Sequence, residues 1–207
     1  MIEYVIFGLV GYLLGSIPTA VWVGRSKYNI DIREHGSLNA GATNTFRVLG
    51  KKAGTVVLLV DVVKGALATL LPFFILPYSW NDDLIVHLKI ISGVAAVIGH
   101  IFPIFAQFNG GKGVATSLGI IIGLQPLAAL VCLGLFLIVF ILSSYVSLGA
   151  ILAAISFPLV VEFVFHNENS VLTYFTIILA IAVIAAHHKN IKRLINGNEN
   201  KMNLFKK

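Results

Sequence analysis

The stretch GVATSLGIIIGLQPLAALVCLGLFLIVFILSSYVSLGAILAAISFPLVVEFVF, Gly113 to Phe165, decides the fold, because the number of times its 53 residues cross a bilayer sets the helix count of the whole chain. Breaks fall at Gln125-Pro126 and at the serine cluster Ser143 to Ser147. Proline and clustered polar residues are natural turn points, so three short spans fit better than one span with re-entrant pieces. The first piece, Gly113 to Leu124, is the short one: at about 1.5 Å per residue it covers only about 18 Å of a ~30 Å core.

The surrounding chain makes a bilayer the right frame. Of 207 residues, 57% are hydrophobic and 12% charged, and the mean hydropathy is +0.91. That is too little polar side chain to coat a soluble globule of this size. Apolar segments recur at roughly 17 to 25 residues, helix-spanning length, whereas a barrel would show short alternating segments. The expected fold is all-α: a polytopic integral membrane helical bundle forming a single domain over residues 1–207. Residues 1–24 read as an uncleaved first span, since Glu3 stands where a signal peptide carries basic residues and Arg25 and Lys27 follow the apolar run. Cys132, the lone cysteine, lies in an apolar run and suits packing or lipid contact.

Thirteen of the fifteen basic residues occupy three segments. Arg25, Lys27, Arg33, Arg47, Lys51 and Lys52 share one loop, Lys112 sits in a glycine-rich turn, and Lys189, Lys192, Arg193, Lys201, Lys206 and Lys207 form the tail. The net charge of +6 therefore reports topology and not a nucleic-acid partner. By the positive-inside rule these segments are cytoplasmic, and SWNDD (Ser79 to Asp83) and HNENS (His166 to Ser170) are external. Crossings over Ile2 to Gly24, Ala53 to Tyr78, Leu84 to Phe108 and Val171 to His187, plus three within Gly113 to Phe165, total about seven. The amino terminus is then outside and the carboxyl terminus cytoplasmic.

Polar residues concentrate in the same segments. In DIREHGSLNAGATNTFRVLG, Asp31 to Gly50, small residues allow tight backbone folding while Arg33, Arg47, Asn39 and Asn44 supply charge and amides. That suits an anion site; a cytoplasmic turn with Ser37 or Asn44 as a helix cap is the plainer alternative. The length of the loop, about 28 residues, exceeds what a bare turn needs. In FNGGKGVATS, Gly110, Gly111 and Gly113 permit positive φ and close backbone approach beside Lys112, and Gly113 opens a helix whose amino end attracts anions. A positive-inside hairpin explains the same residues. The turn is not a Walker A loop, because Gly113 follows Lys112 where Ser or Thr is required. Asp61 and Lys64 lie one turn apart at bilayer depth and should face protein or a wet cavity, a structural ion pair being the plainer alternative; His100 is a further polar group in a span, and a bond to a backbone carbonyl would also account for it. His187, Asn190 and Arg193 recur every third residue, with Glu199 beyond the Gly197 break; the tail also reads as a basic membrane-surface anchor. No metal motif, no CxxC and no paired carboxylates suited to glycoside chemistry are present, and no cofactor is expected.

In combination, GSIPTA, DIREHGSLNAGATNTFRVLG, DVVKG, GHIFPIFAQFNGGKGVAT and HHKNIKRLINGNE resemble, in order and over essentially the whole chain, the bacterial acyl-phosphate:glycerol-3-phosphate acyltransferase family (the PlsY family). The resemblance implies transfer of a fatty acyl group from acyl phosphate to glycerol 3-phosphate, giving 1-acylglycerol 3-phosphate and inorganic phosphate. It implies a multi-pass protein of the bacterial inner (cytoplasmic) membrane, with its active site facing the cytoplasm and membrane lipid around it. A soluble enzyme that produces acyl phosphate is the protein partner it suggests. By the same resemblance Ser37, Asn39, Thr43, Asn44 and Arg47 belong to a first motif for phosphate binding and catalysis. Gly110, Gly111, Lys112, Gly113 and Thr116, with His100 ahead of them, belong to a second for the acyl-phosphate phosphate. His187, Asn190 and Glu199 form a third that orients glycerol 3-phosphate, and Lys64 is the family's helix lysine. Ser147 is a further site residue, although Ser143 and Ser144 stand where many relatives carry a basic residue.

Because acyl phosphate is a mixed anhydride with a good leaving group, direct attack by the glycerol hydroxyl is expected, and Ser37 as a covalent nucleophile has no base beside it in sequence. The His-x4-Asp pair of other glycerolipid acyltransferases is absent. Two other classes compete. A glycerol-phosphate or anion transporter would also use glycine-broken spans with buried charge, but would show repeated halves and a midplane site. A structural membrane subunit leaves the three motifs without a purpose.

Overall fold

A computed structural model describes residues 1–77 and 82–202. The Tyr78 end of the expected second span, Ser79 to Asn81 of the expected external loop, and Lys206 and Lys207 lie outside the described residues. The described residues contain helices and no strand, and they divide into two compact units, Met1–Leu124 and Gln125–Lys207.

The first unit holds α1 (Ile2–Gly15), α2 (Thr19–Tyr28), α3 (Ala42–Ile75), α4 (Asp83–Ile101) and α5 (Val114–Leu124). The first expected span is broken at Pro18, which has no N–H to donate and biases Ile17 out of the helical region. The break leaves the Ile17 carbonyl available to a side chain. In α3, Gly50 has φ 86 and ψ −178, so an amphipathic piece is set off from the span that follows. Much of the stretch expected as loop, residues 25–52, is therefore helical: α2 runs to Tyr28 and α3 starts at Ala42, leaving residues 29–41 as the connecting segment. Asp82 caps α4 by accepting from the Leu84 N–H at 3.0 Å. Its expected end at Phe108 is too late, because Phe102 precedes Pro103 and the helix stops at Ile101.

Small residues set the packing in this unit. A Cβ at Gly11 or Gly15 of α1 would strike the carbonyls of Ser92 or Ala96 on α4, and one at Gly119 of α5 would strike the Val62 carbonyl on α3. Backbones approach closely where lipid offers no hydrophobic drive for helix association.

The second unit holds α6 (Pro126–Ser143), α7 (Val146–Leu159), a π-turn over Val160–Val164, α8 (Ser170–Ala186) and α9 (His188–Ile195). The two breaks read from sequence stand: Pro126 opens α6, and Ser144, at φ 63, closes it. Among the described residues, five helical segments are long and apolar enough to span a membrane and a sixth is reached if the bent α8–α9 pair counts as one. The eleven-residue α5 covers only about 16 Å, so seven is reached only by including it.

Candidate active site

In the first unit, Asn44 organises the connecting loop. Its Oδ1 accepts from the Ser37 N–H at 2.8 Å, while Nδ2 donates to the carbonyls of His35 at 2.9 Å and of Ile32 and Asn39 at 3.1 Å. The amide is buried and occupied by backbone, so it shapes the segment that displays Ser37. Ser37, Thr43 and Arg47 are exposed and Asn39 is half-buried.

Arg33 ties this loop to the glycine-rich turn. It forms an ion pair with Asp31 at 2.7 Å, and its Nη1 donates to the Ala106 carbonyl at 2.9 Å and more weakly to that of Asn109 at 3.5 Å. The hydrogen bond from Arg33 holds the Asp31 carboxyl well below its ordinary 3.8, against the opposing effect of burial, and Arg25 adds to the lowering.

The glycine turn departs from the sequence expectation in a specific way. Among its glycines only Gly113 has positive φ, 79°; the other positive-φ residues there are Gln107 and Phe108. Gly110 and Gly111 are small because they pack on the end of α4. A Cβ at Gly111 would run into the His100 ring and one at Gly110 into the His100 carbonyl. Their N–H groups donate to Ile101 and His100 carbonyls, each at 3.1 Å, and so cap α4 instead of facing an anion. The amino end of α5 is different. Its first intrahelical bond runs from the Ser117 N–H to Gly113 at 2.7 Å, so the N–H groups of Val114, Ala115 and Thr116 have no intrahelical acceptor. Thr116 Oγ1 is buried without a protein hydrogen bond, and Lys112 stands half-buried just before this helix.

Behind the turn lies a buried ionic cluster. Asp61 and Lys64 are 2% and 4% exposed and paired at 2.8 Å; Lys64 Nζ also donates to the Ile17 carbonyl at 2.8 Å. His100 Nδ1 is 3.6 Å from the same Asp61 oxygen and Thr19 Oγ1 is 3.4 Å from it. Lys64 thus spends two of its three N–H donors on protein and keeps one. Ile17, Thr19, Ala40, Lys64, His100 and Gly111 line a small cleft here.

In the second unit, His187 sits where α8 bends by 60° into α9. Its Nδ1 lies 2.8 Å from the Val183 carbonyl, which can only accept, so Nδ1 carries the proton and a neutral ring has its lone pair on Nε2. Glu199 returns to α9 beyond Gly197, at φ 71. Its Oε1 accepts from Asn190 at 2.7 Å and Ser147 at 3.0 Å, and its Oε2 from Arg193 Nε at 2.7 Å. Burial would raise this carboxyl, but the hydrogen bonds from Arg193, Asn190 and Ser147 outweigh it and hold Glu199 below its ordinary 4.5. The tail is fastened onward: Met202 N–H donates to Ser144 at 2.9 Å, and Lys201 Nζ lies 5.6 Å from the Tyr145 ring centroid.

Ser147, Asn190 and Glu199, named separately from sequence, meet in one network. Arg193 completes it, and its three-residue spacing from Asn190 was the visible signal. Asp61 was visible only as a helix neighbour of Lys64, and nothing in sequence announced that Arg33 reaches residue 106. Among the described residues no group of His, Cys, Asp and Glu could hold a metal ion.

The glycerol-3-phosphate acyltransferase family model matches residues 5–197. Curated relatives named glycerol-3-phosphate acyltransferase include one from Chlorobaculum tepidum, 43% identical with 100% of both chains covered, and one from Listeria monocytogenes, 43% identical over 97% of this chain and 98% of the relative. The structure is similar to the glycerol 3-phosphate form of PlsY (YgiH), an integral membrane glycerol 3-phosphate acyltransferase, with TM-score 0.86, 35% identity and coverage of 98% and 99% of the two chains. For the lysophosphatidic acid form of the same enzyme the TM-score is 0.81, with 35% identity over 97% and 95%.

Proposed function

The chain belongs to the glycerol-3-phosphate acyltransferase family, and from that premise we infer the chemistry of its residue clusters. It is an integral membrane acyltransferase that moves a fatty acyl group from acyl phosphate to glycerol 3-phosphate, releasing 1-acylglycerol 3-phosphate and inorganic phosphate. The observation that carries this reading is kinship over the full length, together with a fold shared with an enzyme known in forms named for glycerol 3-phosphate and for lysophosphatidic acid.

The glycerol hydroxyl attacks the acyl carbon directly. An ester C–O bond forms, the bond from acyl carbon to phosphate oxygen breaks, and the hydroxyl proton passes to His187 Nε2 or to an acyl-phosphate oxygen. The amino end of α5, Thr116 Oγ1 and Lys112 stabilise charge on the departing phosphate, with Ser37, Asn39, Thr43 and Arg47 presented by the Asn44-stitched loop. Gly110, Gly111 and His100 hold the turn in place, Gly113 admits its sharp exit into α5, and Lys64 offers its remaining N–H. Asn190, held with Ser147 and Arg193 by Glu199, orients glycerol 3-phosphate. The structure supports this through the tautomer of His187, the amino end of α5 and the Glu199 network. The distribution of basic residues supports a bacterial cytoplasmic membrane protein with its amino terminus outside and its chemistry on the cytoplasmic side. Acyl phosphate is labile, so a soluble enzyme that makes it is the fitting protein partner.

Purified protein given palmitoyl phosphate and glycerol 3-phosphate should release phosphate and lysophosphatidate in equal amounts. Lys112→Ala should lower kcat by roughly 10²–10³-fold, as loss of a group stabilising transition-state charge does. Phosphate flux across liposomes with no acylated product would identify a transporter instead.

A further inference from the structure

We propose that the outward face of α9 is a docking surface for the anionic phospholipid headgroups of the surrounding leaflet. Sequence offered two readings of this tail, site residues or a membrane anchor; the helix gives each its own face. At 100° per residue, Asn190 and Arg193 share the side that meets Glu199. Ile191, Ile195, His188 and Lys192 fall on the opposite side, and Lys189, also exposed, falls beside Arg193 about 120° from Ile195.

Three observations select the occupant. First, Ile195 is 81% exposed, too open for an internal packing residue and one position beyond the apolar Leu194. Second, Lys189 and Lys192 are exposed, and no carboxylate among the described residues pairs with them. From His187 to Asn198 there is no acidic residue, and Glu199 is taken by Arg193, so the exposed charge of the helix is cationic only. Third, α9 bends by 60° from α8, which turns it away from the direction of a span. A continued span would bury two lysines in hydrocarbon. A short helix with an apolar edge, flanking lysines and a steep bend at the end of an apolar helix fits the plane of the headgroups, with Ile191 and Ile195 below them and the lysines on phosphate.

The test reads depth, so it does not depend on the roles given to His187, Asn190 or Glu199. In a Cys132→Ala background, Ile195→Cys is labelled with an environment-sensitive dye. The full chain is reconstituted in phosphatidylcholine vesicles with or without phosphatidylglycerol, and turnover of palmitoyl phosphate verifies that the labelled protein is folded. Chain-brominated lipid should quench the dye, and iodide should reach it poorly, in phosphatidylglycerol vesicles. Adding Lys189→Gln and Lys192→Gln should reduce the lipid quenching at least twofold. A label at Ile191→Cys should behave alike and covers the case in which position 195 does not tolerate the dye. Free access of iodide in both vesicle types would overturn the proposal. So would equal shielding in neutral vesicles, or shielding that arises only when a soluble protein is added.

Discussion

Asp61 and Lys64 show what a buried charge does in this molecule. Removing one partner of such a pair strands the other, at a cost of about 3–5 kcal/mol, whereas removing both is far milder. Asp61→Asn should therefore lower the thermal midpoint in detergent sharply, and Asp61→Asn with Lys64→Met should recover most of the midpoint while leaving turnover low. Recovery of turnover with stability would make the pair a scaffold only. Glu199 gives a residue-level test by pH. Its folded value lies below the ordinary 4.5, so the unfolded chain binds the proton more readily than the folded one. The stabilisation is then complete above about pH 5 and lost as pH falls through the lowered folded value. Thermal midpoints measured from about pH 8 down to about pH 3 should show a drop at the acid end that is smaller in Glu199→Gln, and an unchanged profile would dismiss the network as a stabilising one.

At the scale of elements, the connecting segments of the first unit are held by a few long-range bonds. Arg33 is the clearest case, because one guanidinium serves Asp31 in its own loop and Ala106 in the glycine turn. Lysine keeps the charge but lacks the planar fork, so Arg33→Lys should fail to replace it. Hydrogen bonds to charged groups are worth about 1.5–3 kcal/mol each. Arg33→Lys and Arg33→Ala should both raise the KM for acyl phosphate about tenfold or more, and steady-state kinetics on detergent-solubilised protein would show it. Wild-type KM in Arg33→Lys would mean that the charge alone suffices. The same scale explains α5. It is short because Gly113, at positive φ, starts it late and Gln125-Pro126 ends it early, and its amino end thereby follows directly on the glycine-rich turn.

For the whole molecule, the testable statement is topology. In a Cys132→Ala background, a cysteine at Asn167 should react with a membrane-impermeant maleimide in intact spheroplasts, and one at Lys51 only after lysis; the reverse pattern would invert the protein in its membrane. The all-helical class, the breaks at Pro126 and Ser144 and the family were legible in the sequence. Each depends on quantities that are local along the chain: hydropathy over a span, proline's missing N–H, and motifs read within a few positions. Family resemblance named Ser147, Asn190 and Glu199 separately, and their meeting in one network was not legible in the sequence. What the tertiary structure alone decided is which polar group satisfies which. Arg33 reaches across 73 positions to Ala106, Lys64 across 47 to Ile17, and Asn44 is spent on the backbone of its own loop. The glycines read as an anion cradle at 110 and 111 give their N–H groups to the end of α4, and the N–H groups without an intrahelical acceptor lie at the amino end of α5. Sequence spacing carries no record of such choices. A buried donor must be paired, but its partner is whichever acceptor close packing brings within about 3 Å.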